Sequence, residues 1–165
     1  MSSSHLGLFP ATLDPVHNGH IDIVSRAVRL FGEVVVGIYD SPKKPLLFNT
    51  DERVALAREA FGKIPNVKVA QYRGLTVDFA SGLGAVAIIR GLRVSSDFDF
   101  ELRTALANRQ LSGEIETIAI MADERYIHVS SSIIREIAEL GGDVSSMVPP
   151  HVMGALQQRF AASPK

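Results

Sequence analysis

Apolar residues in this chain follow two alternating patterns: short unbroken runs, and longer stretches in which they return every three or four positions. Residues 5–10 form one such run and predict a strand. Over residues 19–31, Ile21, Val24, Val28 and Phe31 recur at helical spacing with charged residues between them. Residues 33–39 are a β-branched run of the kind buried on both faces of a sheet. Residues 40–49 hold two prolines and two lysines and read as a loop. Thr50 is then expected to cap a helix that opens with Asp51 and Glu52, the favoured charge at that end.

The alternation continues to the end of the chain. Strands are predicted over residues 67–72, 85–89 and 115–121, with residues 90–93 as a loop. Helices are predicted over residues 76–81, 97–111, 130–140 and 150–160, and in the second of these Phe98, Leu102, Ala105 and Leu106 share one face. Five strands separated by helices imply right-handed βα crossovers. The predicted class is therefore α/β, a Rossmann-like, doubly wound, five-stranded parallel sheet with helices on both faces. No repeat, low-complexity tract or linker divides residues 1–165, so a single domain is expected. Ligands of such sheets bind beyond the carboxyl ends of the strands.

The segments in those places carry the candidate chemistry. After the first strand comes His17-Asn18-Gly19-His20. Two histidines three apart at a helix start share a face near unpaired backbone amides, which makes a seat for a polyanion. The alternative is that His17 caps the helix and His20 packs on its neighbour. After the fourth strand, Arg90 and Arg93 flank Gly91 and Leu92. Guanidinium forks there suit phosphate, or they pair with Asp97, Asp99 or Glu101. Before the helix at 130–140, Ser130, Ser131 and Ser132 offer hydroxyls and free amides as a second anion seat, with Arg135 in the helix's first turns. The loop at 41–45 adds Lys43 and Lys44. Adjacent lysines are usually solvated, and only their place at the active edge of the sheet raises one above that.

Composition narrows the class. The chain has 165 residues with 17 basic and 18 acidic side chains, a net charge of -1, which argues against a general nucleic-acid binder. Hydrophobic residues at 46% and charged ones at 21% are globular values. With no cysteine, disulfides, thiolate metal sites and cysteine nucleophiles are excluded. Residues 1–5 lack the basic-then-apolar order of a signal peptide and no apolar run is long enough to span a membrane, so a soluble cytoplasmic protein is expected. Residues 82–87 match the dinucleotide pattern G-x-G-x-x-A, but they end a helix and lead into a strand, the reverse of the order that pattern needs. The G-x-x-x-x-G-K-[ST] phosphate loop is absent, which removes the P-loop kinases.

Taken together, these residues resemble the nucleotidyltransferase superfamily whose members carry H-x-G-H or T-x-G-H after the first strand, a motif met by His17-Asn18-Gly19-His20. Within it the chain is similar to the bacterial phosphopantetheine adenylyltransferases over about residues 6–160. The likeness is carried by residues 14–24 (DPVHNGHIDIV), 44–53, 89–93 (IRGLR), 97–101 (DFDFE) and 129–136 (VSSSIIRE). The resemblance implies transfer of the adenylyl group of ATP to 4′-phosphopantetheine, giving dephospho-coenzyme A and pyrophosphate in coenzyme A biosynthesis. It further implies a homohexamer and assistance by Mg²⁺. No acidic cluster marks a protein-built metal site, so Mg²⁺ is expected to ride mainly on the ATP phosphates. The near-zero charge and short apolar runs leave neither nucleic-acid nor membrane partners expected. Siblings that adenylylate mononucleotides or transfer cytidylyl groups, and a non-catalytic nucleotide-binding module, are the competing readings.

Residue roles follow from the same resemblance. His20 matches the histidine that stabilises the transition state, and Thr12 the hydroxyl that orients the acceptor phosphate and touches the nucleotide. Lys44 matches the lysine between the reacting groups, with Lys43 the alternative if the alignment slips by one. Arg90 and Thr76 match positions contacting phosphopantetheine. Leu13, Gly91, Leu92, Arg93, Glu101, Tyr126, Ile127, His128, Val129, Ser130, Ser131 and Ser132 match positions binding ATP. Three residues depart from the family pattern: Ala11 replaces glycine, Leu13 replaces phenylalanine and His128 stands where an aromatic ring is common. Alanine fits at position 11 only if its φ is negative and the ligand leaves room for a methyl.

Overall fold

Alternate residues of a strand point to opposite faces of its sheet, and a strand covered on both faces is therefore apolar throughout. Such runs set the centre of this molecule. The computed structural model describes residues 5–40 and 42–161; residues 1–4, read above for a leader, and Ser41, first in the basic loop, lie outside the described residues. Among the described residues, β1 (His5–Ala11), β2 (Gly32–Tyr39), β3 (Val67–Tyr72), β4 (Ala87–Leu92) and β5 (Glu116–Met121) form one sheet. All pairings are parallel and the order is β3-β2-β1-β4-β5. The intervening helices are α1 (Asn18–Phe31), α2 (Thr50–Phe61), α3 (Thr76–Leu83), α4 (Ser95–Leu111), α5 (Ser131–Glu139) and α6 (Pro150–Ala161). This is the predicted Rossmann-like fold.

Neighbouring strand residues feed two separate apolar clusters. Phe9, Val34, Val36 and Ile89 pack with Val24 of α1, Phe61 of α2, Ile134 of α5 and Leu156 of α6. Leu8, Val35 and Ile88, one position away, pack instead with Val77 and Ala80 of α3. The sheet is thus covered on both faces. None of the helices among the described residues is long and apolar enough to cross a membrane.

Several boundaries differ from the sequence expectation. Asn49, not Thr50, caps α2: its side chain accepts from the Glu52 N–H (2.9 Å) while Glu52 accepts from the Asn49 N–H (2.8 Å), a reciprocal capping box. Thr50 is used elsewhere, donating its hydroxyl to the Asp40 carboxylate at 2.6 Å. Residues 90–92, expected in a loop, continue β4, because Arg90, Gly91 and Leu92 stay in register with Ala119, Ile120 and Met121 of β5. The polar arginine masks a backbone still engaged in the ladder. The G-x-G-x-x-A decoy behaves as expected: α3 ends at Leu83 and Gly84 closes it in the left-handed conformation (φ 70°) before β4. The apolar face predicted on α4 exists but is not packed on the chain's own core. No residue of α4 is buried, and Phe98, Phe100 and Leu106 are more than half exposed.

Arg53 in α2 is fully buried. Its guanidinium donates to the carbonyls of Thr12 (2.7 Å) and Tyr39 (3.0 Å) and to the Thr50 hydroxyl (3.0 Å), joining the ends of β1 and β2 to the start of α2. Replacing it by leucine strands those acceptors without solvent. Arg53→Leu is expected to cost about 3 kcal/mol or more in urea unfolding, since hydrogen bonds to charged groups are each worth roughly 1.5–3 kcal/mol.

Candidate active site

The strand order reverses between β1 and β4, and the chain leaving them opens a crevice at the carboxyl edge of the sheet. A cavity of about 680 Å³ occupies it. Thr12, Leu13, His17, Gly19 and His20 line it from the β1–α1 connection, and Arg90, Gly91 and Arg93 from β4 and the turn after it. Thr76 of α3, Glu101 of α4, Lys44, Tyr126 and Ser130, Ser131 and Ser132 also line it.

The turn after β1 is tight. Leu13 takes φ 55°, while Ala11 does not have a positive φ, so the alanine that replaces glycine meets the backbone condition for that position. A left-handed non-glycine residue costs roughly 1–2 kcal/mol. Leu13 is only 2% exposed, and burying its side chain contributes about as much in return.

At the start of α1 the two histidine rings stack, with centroids 3.6 Å apart. The His17 backbone N–H donates to His20 Nδ1 (3.2 Å), so the neutral His20 ring carries its proton on Nε2. The packing alternative is thus realised for His20. His17 occupies the N-cap position, yet its buried Nδ1 has no hydrogen-bond partner. Burial pushes the His17 pKa down to about 3, helped by the positive charge of Arg93. Burial also holds His20 well below the ordinary imidazole range, reinforced by His17, Arg93 and Arg90. Both rings are therefore neutral near pH 7. Gly19 sits tightly beside them: a Cβ there would lie 3.1 Å from the His17 ring, which would have to give by a few tenths of an ångström.

The arginines pair with acids, the alternative weighed from the sequence. Arg90 makes a bidentate contact with Glu101 (2.7 and 2.8 Å) and donates to the Pro10 carbonyl (3.0 Å). Arg93 bonds Asp97 (3.1 Å) and the Val129 carbonyl (3.0 Å). Two of the three serines also have structural partners. Ser130 caps α5 by accepting from the Ile133 N–H (3.2 Å), and Ser131 donates to the Pro15 carbonyl (2.8 Å).

Not every expected residue reaches the cavity. Lys44 lines it and Lys43 does not. Leu92, Ile127, His128 and Val129 are not in its wall: Val129 is buried beneath and gives only its carbonyl to Arg93, while Ile127 and His128 face outward. Conversely, Tyr39, Tyr72 and Leu75 and, from α4, Asn108 and Leu111 line it without having been singled out. The helical spacing of residues 97–111 carried a signal for the last two, because Glu101, Asn108 and Leu111 fall on one side at intervals of seven and three.

Comparison with known proteins agrees with this geometry. Residues 8–137 match the cytidylyltransferase-like family model. Over 94% of this chain and 96% of the other protein, the sequence is 50% identical to a phosphopantetheine adenylyltransferase of Methylococcus capsulatus. It is 44% identical to one from Herpetosiphon aurantiacus over 94% of both chains, and 45% identical to one from Thermomicrobium roseum over 95% of this chain and 96% of that one.

The buried histidine gives a pH dependence with a definite sign. Between pH 6.5 and about 3 the unfolded chain protonates residue 17 and the folded chain does not, so stability is full above 6.5 and falls as the pH drops through that window. At roughly 1.4 kcal/mol per pH unit, this one group should remove about 2 kcal/mol at pH 5. Urea unfolding at pH 7.5 and 5 measures it, and His17→Asn should have a shallower pH dependence.

Proposed function

The chain belongs to the phosphopantetheine adenylyltransferases of the cytidylyltransferase-like family, and from that premise we propose that its cleft transfers the adenylyl group of ATP to 4′-phosphopantetheine. The products are dephospho-coenzyme A and pyrophosphate, and the reaction belongs to coenzyme A biosynthesis. One observation supports this most: neutral imidazole, ammonium, hydroxyl and guanidinium donors from separate parts of the sequence line a single cleft at the switch point.

In this reading the acceptor phosphate attacks the α-phosphorus in line, and the α-phosphorus–oxygen bond to pyrophosphate breaks. Such a reaction needs positioning and charge stabilisation more than a protein nucleophile. His20 presents Nε2–H to an α-phosphate oxygen, its orientation fixed by the bond that Nδ1 accepts. Lys44 supplies a positive charge to the same group as negative charge builds in the pentacoordinate state. Thr12 orients the attacking oxygen. Arg90, held flat against Glu101, offers its remaining donor directions to the acceptor, alongside Thr76. Arg93 and the amino-terminal end of α5 receive the β- and γ-phosphates, for which the helix end provides free N–H groups. Mg²⁺ would be carried by the triphosphate, where it would offset charge.

We place the reaction in the cytoplasm and the working form as a homohexamer. The support for assembly is α4, whose Phe98, Leu102 and Leu106 remain exposed on a helix with no buried residue. Light scattering should give six times the chain mass, and Phe98→Glu should lower it.

The enzyme is expected to release pyrophosphate from ATP with phosphopantetheine and not with nicotinamide mononucleotide; the reverse preference would assign it to the sibling reaction. His20→Ala should lower kcat at least about a hundredfold with little change in the KM for ATP, as for loss of one preorganised transition-state donor. A near-normal rate would remove His20 from this role.

A further inference from the structure

Asp14 is 2% exposed and its carboxylate is shared between two other segments. Oδ1 accepts from the Phe48 N–H (2.9 Å) and Oδ2 from the Leu47 N–H (2.9 Å), both in the connection that carries Lys44. Arg135 of α5 donates to the Asp14 carbonyl and lies 3.3 Å from Oδ2. Three parts of the cleft wall therefore meet at one side chain: the turn bearing Thr12, the lysine connection, and the serine-capped helix.

The connection from Pro42 to Asn49 has neither helix nor strand, so no ladder fixes its backbone. The Lys44 ammonium makes no hydrogen bond or ion pair among the described residues. Its position is set by the backbone, and the nearest fixed points on the carboxyl side are the two amides held by Asp14, assisted by the buried Phe48 ring. Charge-assisted bonds of this kind are stronger than neutral ones, and the carboxylate needs both oxygens to make two of them. Arg135 balances the buried charge and orients the acid.

We propose that Asp14 and Arg135 are positioning residues that set the Lys44 connection against the cleft, so that the ammonium meets the α-phosphate in the transition state. This rests on the role given to Lys44 above. Asp14→Asn keeps one acceptor oxygen and replaces the other with an NH₂ that faces an N–H donor. Arg135→Gln leaves both amide bonds in place and removes the guanidinium, and it serves as a second probe should Asp14→Asn fail to fold.

The test is a double-mutant cycle with Lys44→Ala, read as kcat and the KM for ATP in the pyrophosphate assay, with melting temperatures recorded alongside. Asp14→Asn is expected to lower kcat about 30-fold with KM changed less than about threefold, and Arg135→Gln to lower kcat by a smaller factor. Added to Lys44→Ala, either change should cost less than about a further threefold, because the group being positioned is gone. Losses that multiply fully in the double variants would show a general structural role and overturn the inference. So would near-normal kcat in both single variants. Full activity in Lys44→Ala would instead overturn the role of the lysine, and failure of the parent to use phosphopantetheine would overturn the proposed reaction; the two failures are read in separate arms.

Discussion

In an all-parallel sheet every strand delivers its carboxyl end to the same edge, and where the strand order reverses the connections diverge and leave a crevice. Here that place is the gap between β1 and β4. The cavity, the left-handed turn at Leu13, the stacked histidines and the paired arginines all depend on it. α1 packs into one apolar cluster and α3 into the other, so the crevice walls are braced from both faces of the sheet. Burial of the central strands stabilises the scaffold, and its edge then carries the polar groups of the cleft.

The electrostatics of that edge combine two kinds of donor. His17 and His20 are kept neutral by burial and by neighbouring guanidinium charge, which leaves the ring of His20 as a directional donor without a charge to solvate. Arg90 and Arg93 keep their charge and are steered by Glu101 and Asp97. Pairing an arginine with an acid lowers its net field while fixing its plane. For a ligand with several phosphate oxygens, a fixed plane is worth more than an extra unit of mobile charge, because transition-state stabilisation depends on donors that need no reorganisation.

Two arginine–acceptor systems hold this edge in shape. Arg53 binds the carbonyls at the ends of β1 and β2 and the Thr50 hydroxyl, while Arg135 and Asp14 tie α5 to the connection following β2. Both work on irregular backbone, where no ladder satisfies the polar groups and side chains must. α4 presents the opposite situation, with an apolar surface that its own chain leaves uncovered.

Strand and helix order, the parallel class and the identity of the donor-bearing segments were legible in the residues themselves, since periodicity, glycines and local capping patterns act over a few positions. The His17–His20 motif, Arg90 to Arg93 and the serine run marked the right edge of the sheet for that reason. The cap at Asn49 is a local Asn-x-x-Glu box that the residues themselves carry, with Thr50 beside it an equally suitable residue type. The extension of β4 through Leu92 was not legible, because it depended on a partner far along the chain, β5, for the backbone of residues 90–92. So did the choice of Lys44 over Lys43 at the cavity and the turning away of Ile127 and His128. Sequence by itself determined which residues have the chemistry and roughly where each lies along its element. Only the tertiary structure decided which of them share one space, because desolvation, ion pairing and shared acceptors such as Asp14 arise between segments that local pattern does not connect.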